Sequence, residues 1–167
     1  MKRMRPTKVA RADRVSHRQG GQRRPANPVP TRERIALSAD EAFIALFIAA
    51  MHANNHMSAA EGARAHHLIW SMNRFRRKSG DTVGRTIERM RQLVGDHSPA
   101  GVLAAAAQVI PGPLRLPAFA LTADLLLADG TIDAAERRFL TRLGGDLQLS
   151  DSDVRRVVEV MLVKNQA

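Results

Sequence analysis

Helix-start signals recur from Ser38 onward, at intervals that suit a packed set of short helices and little else. Ser38-Ala-Asp-Glu41 reads as a capping box, where a serine hydroxyl and a glutamate three residues later satisfy free amides of the first turn. Ser58-Ala-Ala-Glu61 repeats the pattern, and Asp133-Ala-Ala-Glu136 gives it with aspartate in the cap position. Ser98-Pro99 places a cap residue ahead of a proline at the first helical position, where a missing N–H does no harm. Ser150 opens a last helix, whose Asp151 and Asp153 suit the positive end of the helix dipole.

The breaks between these starts are equally local. Ser79-Gly80 and Gly95-Asp96-His97 are short polar turns, Pro111-Gly112-Pro113 interrupts a helix, and Gly144-Gly145 offers a C-terminal cap. Seven helices follow, at about 39–53, 58–78, 81–95, 99–109, 114–128, 134–145 and 151–164. In the last of them Val154, Val157, Val158, Met161 and Leu162 recur at three- and four-residue spacing, which marks one apolar stripe. No stretch alternates apolar and polar residues as a half-buried strand does, so the fold class is all-α. Aromatic residues are only 4% and Tyr is absent, so alanine and the aliphatics must build the core. There is no Cys, which removes disulfides, thiolate metal sites and cysteine nucleophiles together.

Charge divides the chain in two. Of 26 Lys and Arg, eleven fall in residues 1–34 against only Asp13 and Glu33, leaving fifteen basic and fourteen acidic residues for the remainder. The pI of about 11.5 therefore belongs to the first segment. That segment holds Pro6, Pro25, Pro28, Pro30 and Gly20-Gly21 with almost no large apolar side chains, and buries too little to offset its ordering entropy. Residues 1–36 are read as a disordered basic tail and 37–167 as one compact helical domain of 131 residues, enough for a single core.

Several function classes lose support on the same grounds. The N-terminus lacks the apolar region of a signal peptide, and the longest apolar run, Ala42 to Met51, is about half of a membrane span. A cytoplasmic location is expected. The tail could touch a polyanion or an anionic membrane surface through charge, but it offers no stacking aromatics for reading sequence. No glycine-rich phosphate loop, G-x-S-x-G elbow or H-E-x-x-H helix is present, and a non-enzymatic role is expected.

The strongest local pattern is Leu121–Glu136, L-T-A-D-L-L-L-A-D-G-T-I-D-A-A-E. It echoes Phe43–Glu61 with six identities in nineteen positions, and both segments run apolar helix, short polar turn, x-x-x-E cap and second helix. A duplicated helix pair packed around one core is the reading. The Ala128-Asp129-Gly130 turn with its acidic cap resembles the second half of the tellurite-resistance TerB-like family, over about residues 37–164. The resemblance implies seven helices in two related halves, a role in tellurite or metal stress response, and partners in membrane-associated stress complexes. It also implies a divalent metal ion at acidic turn residues, which map here onto Asp129, Asp133 and Glu136. The first half departs from that pattern, with Asn54-Asn55 at the turn and only Glu61 remaining.

Three carboxylates on one turn could hold a hard cation with water completing the shell. The same residues read equally as a helix-ending turn and a capping box. An EF-hand is ruled out, because its first and third ligand positions would be Leu125 and Leu127. His52, His56, His66 and His67 form a second candidate set for zinc or nickel, without a recognised ligand spacing. Asp124 sits in an apolar helix and needs a partner if buried. Arg74, Arg76, Arg77 and Lys78 are expected to cap the negative end of the second helix, with Trp70 and Phe75 in the core. Two functions remain: a metal-binding stress-response domain, and a protein-interaction module without metal.

Overall fold

Most helices of the domain begin where a side chain turns back to cap them. In the computed structural model, which describes residues 35–53 and 59–166 (backbone alone at 53 and 59–61), Ser38 and Glu41 form the expected box. Ser38 N–H donates to Glu41 Oε2 at 2.8 Å, and Glu41 N–H donates to Ser38 Oγ at 3.3 Å. Helix α1 runs Ala39–Ala53, α2 Ala59–Ser71, α3 Gly80–Asp96, α4 Pro99–Val109, α5 Gly112–Leu126, α6 Ala134–Asp146 and α7 Asp151–Lys164. Ser79, Ser98 and Ser150 each accept a first-turn N–H, so three more starts are capped by serine. Residues 1–34 of the tail, Asn54-Asn55, His56 and the Ser58–Glu61 cap lie outside the described residues or side chains, whereas Ile35 packs against the core.

Helix α1 is apolar on every side, and Ala42 to Ala50 are all at most 3% exposed. A helix of that kind is stable only when surrounded. Helices α2, α3, α4, α5 and α6 all pack on it, while α7 lies against α5 and α6. Helix α5 is the second buried rod, with Ala118, Phe119, Ala123 and Leu125 fully enclosed. The register that pairs Glu61 with Glu136 also pairs both ends of α2 with both ends of α6, so the two halves agree in length as well as in sequence. No described helix is long and apolar enough to cross a membrane.

Three boundaries differ from the sequence reading, each for a tertiary reason. Helix α2 stops at Ser71 and gives way to turns over 72–78, because Phe75 is drawn into the core. Arg74 and Lys78 then pair with Asp40 in the first turn of α1, and the Arg74 guanidinium lies 4.6 Å over the Phe43 ring. The basic run is thus half pinned to another helix instead of capping its own. Helix α5 starts at Gly112, since Pro113 falls in its first turn, where no N–H is missed. Helix α6 continues through Gly144 and Gly145. Its end is a Schellman turn with Gln148 at φ 56, where Leu149 N–H meets Gly144 O at 2.9 Å and Gln148 N–H meets Gly145 O at 3.0 Å.

Candidate functional site

The turn between α5 and α6 places Asp129, Asp133 and Glu136 within eight residues, but each carboxylate is already engaged. Asp129 accepts the Thr131 N–H on Oδ1 at 2.9 Å and the Thr131 hydroxyl on Oδ2 at 3.0 Å. Gly130 makes that turn at φ +77, with its Cβ position only 3.1 Å from the Asn165 carbonyl oxygen, so a side chain there would be strained on two counts. Asp133 N–H donates to Glu136 Oε2 at 2.8 Å and Glu136 N–H donates to Asp133 Oδ1 at 2.7 Å, a reciprocal capping box. Asp133 and Glu136 are brought together and Asp129 is turned toward Thr131. Among the described residues no three His, Asp or Glu side chains are grouped to hold a metal ion. As arranged, these residues serve the turn and the cap. Asp133→Ala is expected to cost about 1 kcal/mol in urea unfolding, with most of it recovered in Asp133→Ser.

Of the four histidines, His56 lies outside the described residues, and His52 and His66 line one cleft. His52, His66 and His67 are exposed. His66 Nε2 accepts the Trp70 indole N–H at 2.9 Å, which engages that nitrogen.

Asp124 finds the partners its burial demands. Its Oδ1 receives Arg64 Nη2 at 2.6 Å from α2, Lys164 Nζ at 2.7 Å from the last turn of α7, and Asn165 Nδ2 at 3.3 Å. Asn165 Nδ2 also donates to the Leu127 carbonyl at 2.8 Å, closing the end of α5. Burial pushes the Asp124 carboxyl up, but the Lys164 and Arg64 hydrogen bonds and charges outweigh it and hold the group below its ordinary range. The clasp sets two cations on one carboxylate, leaves Arg64 Nε buried without a partner, and joins α2, α5 and α7.

A concave surface lies elsewhere. A cleft of about 420 Å³ opens between α1, α2 and α3. Its wall is Ile44, Phe47 and Ile48 from α1, Ala65 and Ile69 from α2, and Ile87 from α3, with His52, His66 and Arg91 at its edge. Among the described residues lining it there is no carboxylate. The volume and the apolar lining with few polar groups are those of a small-ligand site. Sequence reasoning marks Ala42 to Met51 only as an apolar run and never singles out Ile69, Ile87 or Arg91. No signal in the sequence reveals a gap between three helices that are each amphipathic or buried.

The family model described as tellurite resistance protein TerB matches residues 40–159, from the first turn of α1 into α7. No curated protein and no solved structure matches the chain.

Proposed function

Because the chain belongs to the TerB family of tellurite resistance proteins, we propose that it serves a tellurite or metal stress response by binding, not by catalysis, through the cleft between α1, α2 and α3. The observation that carries this reading is the cleft itself: apolar within, with Arg91 at the edge, and formed where three helices leave a gap. The acidic turn, by contrast, spends its carboxylates on Thr131 and on the α6 cap. Partners are expected among proteins of a membrane-associated stress-response complex.

Gly62 gives the test. It lines the cleft near the start of α2, and a Cβ built there meets nothing within 4 Å. Gly62→Leu therefore projects a side chain into the cleft while improving helix propensity, by up to about 1 kcal/mol. Full-length protein is used as bait in extracts of tellurite-stressed cells, beside Gly62→Leu. A partner held by the wild type and lost from the variant supports the cleft as the working surface, and equal capture by both overturns it.

The metal reading has its own arm. After chelator treatment, thermal unfolding is followed with Ca²⁺, Mg²⁺, Mn²⁺, Zn²⁺ and Ni²⁺ in turn. A ligand specific to the folded state adds about 2.7 kcal/mol at a hundred times its dissociation constant. A saturable rise with a hard cation, absent from Asp129→Ala, would return the acidic turn to the role of a metal site at the expense of its present hydrogen bonds.

A further inference from the structure

We infer that α7 is a strap, which swings away as one unit about the joint at residues 148–150 while α1 to α6 stay folded, with Asp124 as the latch that holds it shut. Among the described residues α7 is the one helix without a buried residue, whereas every other helix sets at least three in the core. Local opening is drawn from the parts of a protein that bury least. What α7 offers instead is a half-buried stripe, from Val154 to Leu162, laid on α5 and α6. The body beneath is complete without it, because the central α1 is enclosed by α2, α3, α4, α5 and α6. What the opening uncovers is apolar on both sides: that stripe, and the α5 and α6 surface under it.

Each side of the joint is self-contained. Helix α6 closes on its own carbonyls through Gln148 and Leu149, with Leu147 buried in the body. Helix α7 starts on Ser150, whose hydroxyl accepts the Asp153 N–H at 3.1 Å. Neither end borrows a hydrogen bond from the other, so rotation between them unwinds neither helix. The latch sits at the far end of α7. Lys164 Nζ and Asn165 Nδ2 reach Asp124 Oδ1, Asn165 Nδ2 reaches the Leu127 carbonyl, and Arg64 Nη2 donates to Asn165 Oδ1 at 3.2 Å. Nearer the joint the polar contacts stay local, Asp153 with Ser150 and Arg156 with Asp153. Release of Lys164 does not strand the carboxylate. Arg64 stays on Asp124, one cation to one anion, where the closed form sets two cations on it. Opening therefore leaves no unpaired buried charge, the condition that makes most broken clasps so unfavourable.

Amide hydrogen exchange of the full-length protein at neutral pH, followed residue by residue, tests the strap. The amides of residues 154–164 are expected to exchange together, about a hundredfold faster than those of residues 43–50 in α1. Two variants separate a strap from its alternatives. Val83→Ala weakens the body from α3, whose neighbours are α1 and α4. It is expected to speed exchange in α1 about tenfold and to leave residues 154–164 unchanged. Lys164→Ala combined with Asn165→Ala undoes the latch from the strap side and keeps Arg64 on Asp124. It is expected to speed the whole of 154–164 about tenfold, Val154 no less than Val163. Exchange graded from the C-terminal end, with residues 154–158 as slow as α1, would be ordinary fraying and overturns the inference. Equal acceleration of α7 and α1 by Val83→Ala would mean that α7 leaves only when the whole domain unfolds, which overturns it as well. So does a latch variant that quickens residues 161–164 alone.

Discussion

Asp124→Ala is expected to lower the unfolding midpoint of the full chain by about 10 °C at neutral pH, equivalent to roughly 3 kcal/mol. The carboxylate is 10% exposed at its side chain and receives three donors on one oxygen, so its removal leaves Arg64 and Lys164 facing each other with no anion between them. Because those two partners are partly exposed, the loss sits at the low end for a broken buried pair. Asp124→Asn, which keeps an acceptor and the volume, falls between alanine and wild type. The pH dependence has a definite sign. The carboxyl is held below its ordinary value by Lys164 and Arg64 against the opposing effect of burial. The unfolded chain therefore binds the proton first as the pH falls, and the stabilisation is complete above about pH 4 and lost as the pH drops through the folded value. Urea unfolding at pH 7, 4, 3 and 2 should show the gap between wild type and Asp124→Asn narrowing only in the acid range. A gap that stays constant down to pH 2 would mean that charge is not what Asp124 contributes.

That clasp marks where sequence reading stops. A buried aspartate in an apolar helix announces that it needs a partner, but Arg64 and Lys164 are 60 and 40 residues away and only the packing of α2 and α7 on α5 selects them. Features settled within three or four residues were legible: the caps at Ser38, Ser98, Asp133 and Ser150, the seven helices, and the paired α2 and α6. The end of α2 was not, because Asp40, 34 residues before Arg74, takes part in deciding it. At the acidic turn both readings were visible, and Thr131, which occupies Asp129, was the residue overlooked. The cleft was invisible for a different reason. Ile44, Phe47 and Ile69 are core, and an unfilled space between helices is a property of their packing that no single residue encodes.

The Gly144-Gly145 pair gives the second test, because glycine is chosen either for its backbone freedom or for its missing side chain. Both residues are helical within α6, so alanine gains up to about 1 kcal/mol of helix propensity at either. At Gly145 a Cβ meets nothing within 4 Å, and Gly145→Ala is expected to stabilise by that amount. At Gly144 the Cβ would stand 2.5 Å from Val154 Cγ2, well inside contact distance. Valine is stiff about χ1, so the overlap cannot be relieved by swinging a long side chain and α7 must move outward. Gly144→Ala is therefore expected to destabilise by about 2 kcal/mol in spite of its propensity gain. Helix α7 can yield in this way, since none of its residues is fully buried and Val154, Val157, Val158, Met161 and Leu162 only lean on the core. Val154→Ala removes the methyl group that the new Cβ strikes. Made alone it costs about 1 kcal/mol, and made together with Gly144→Ala it should cost less than the sum by 1 kcal/mol or more. Urea unfolding of the two single variants and the double variant measures that coupling. Strictly additive losses would show that α6 and α7 do not meet at Gly144, and that the absence of a side chain there has some other cause.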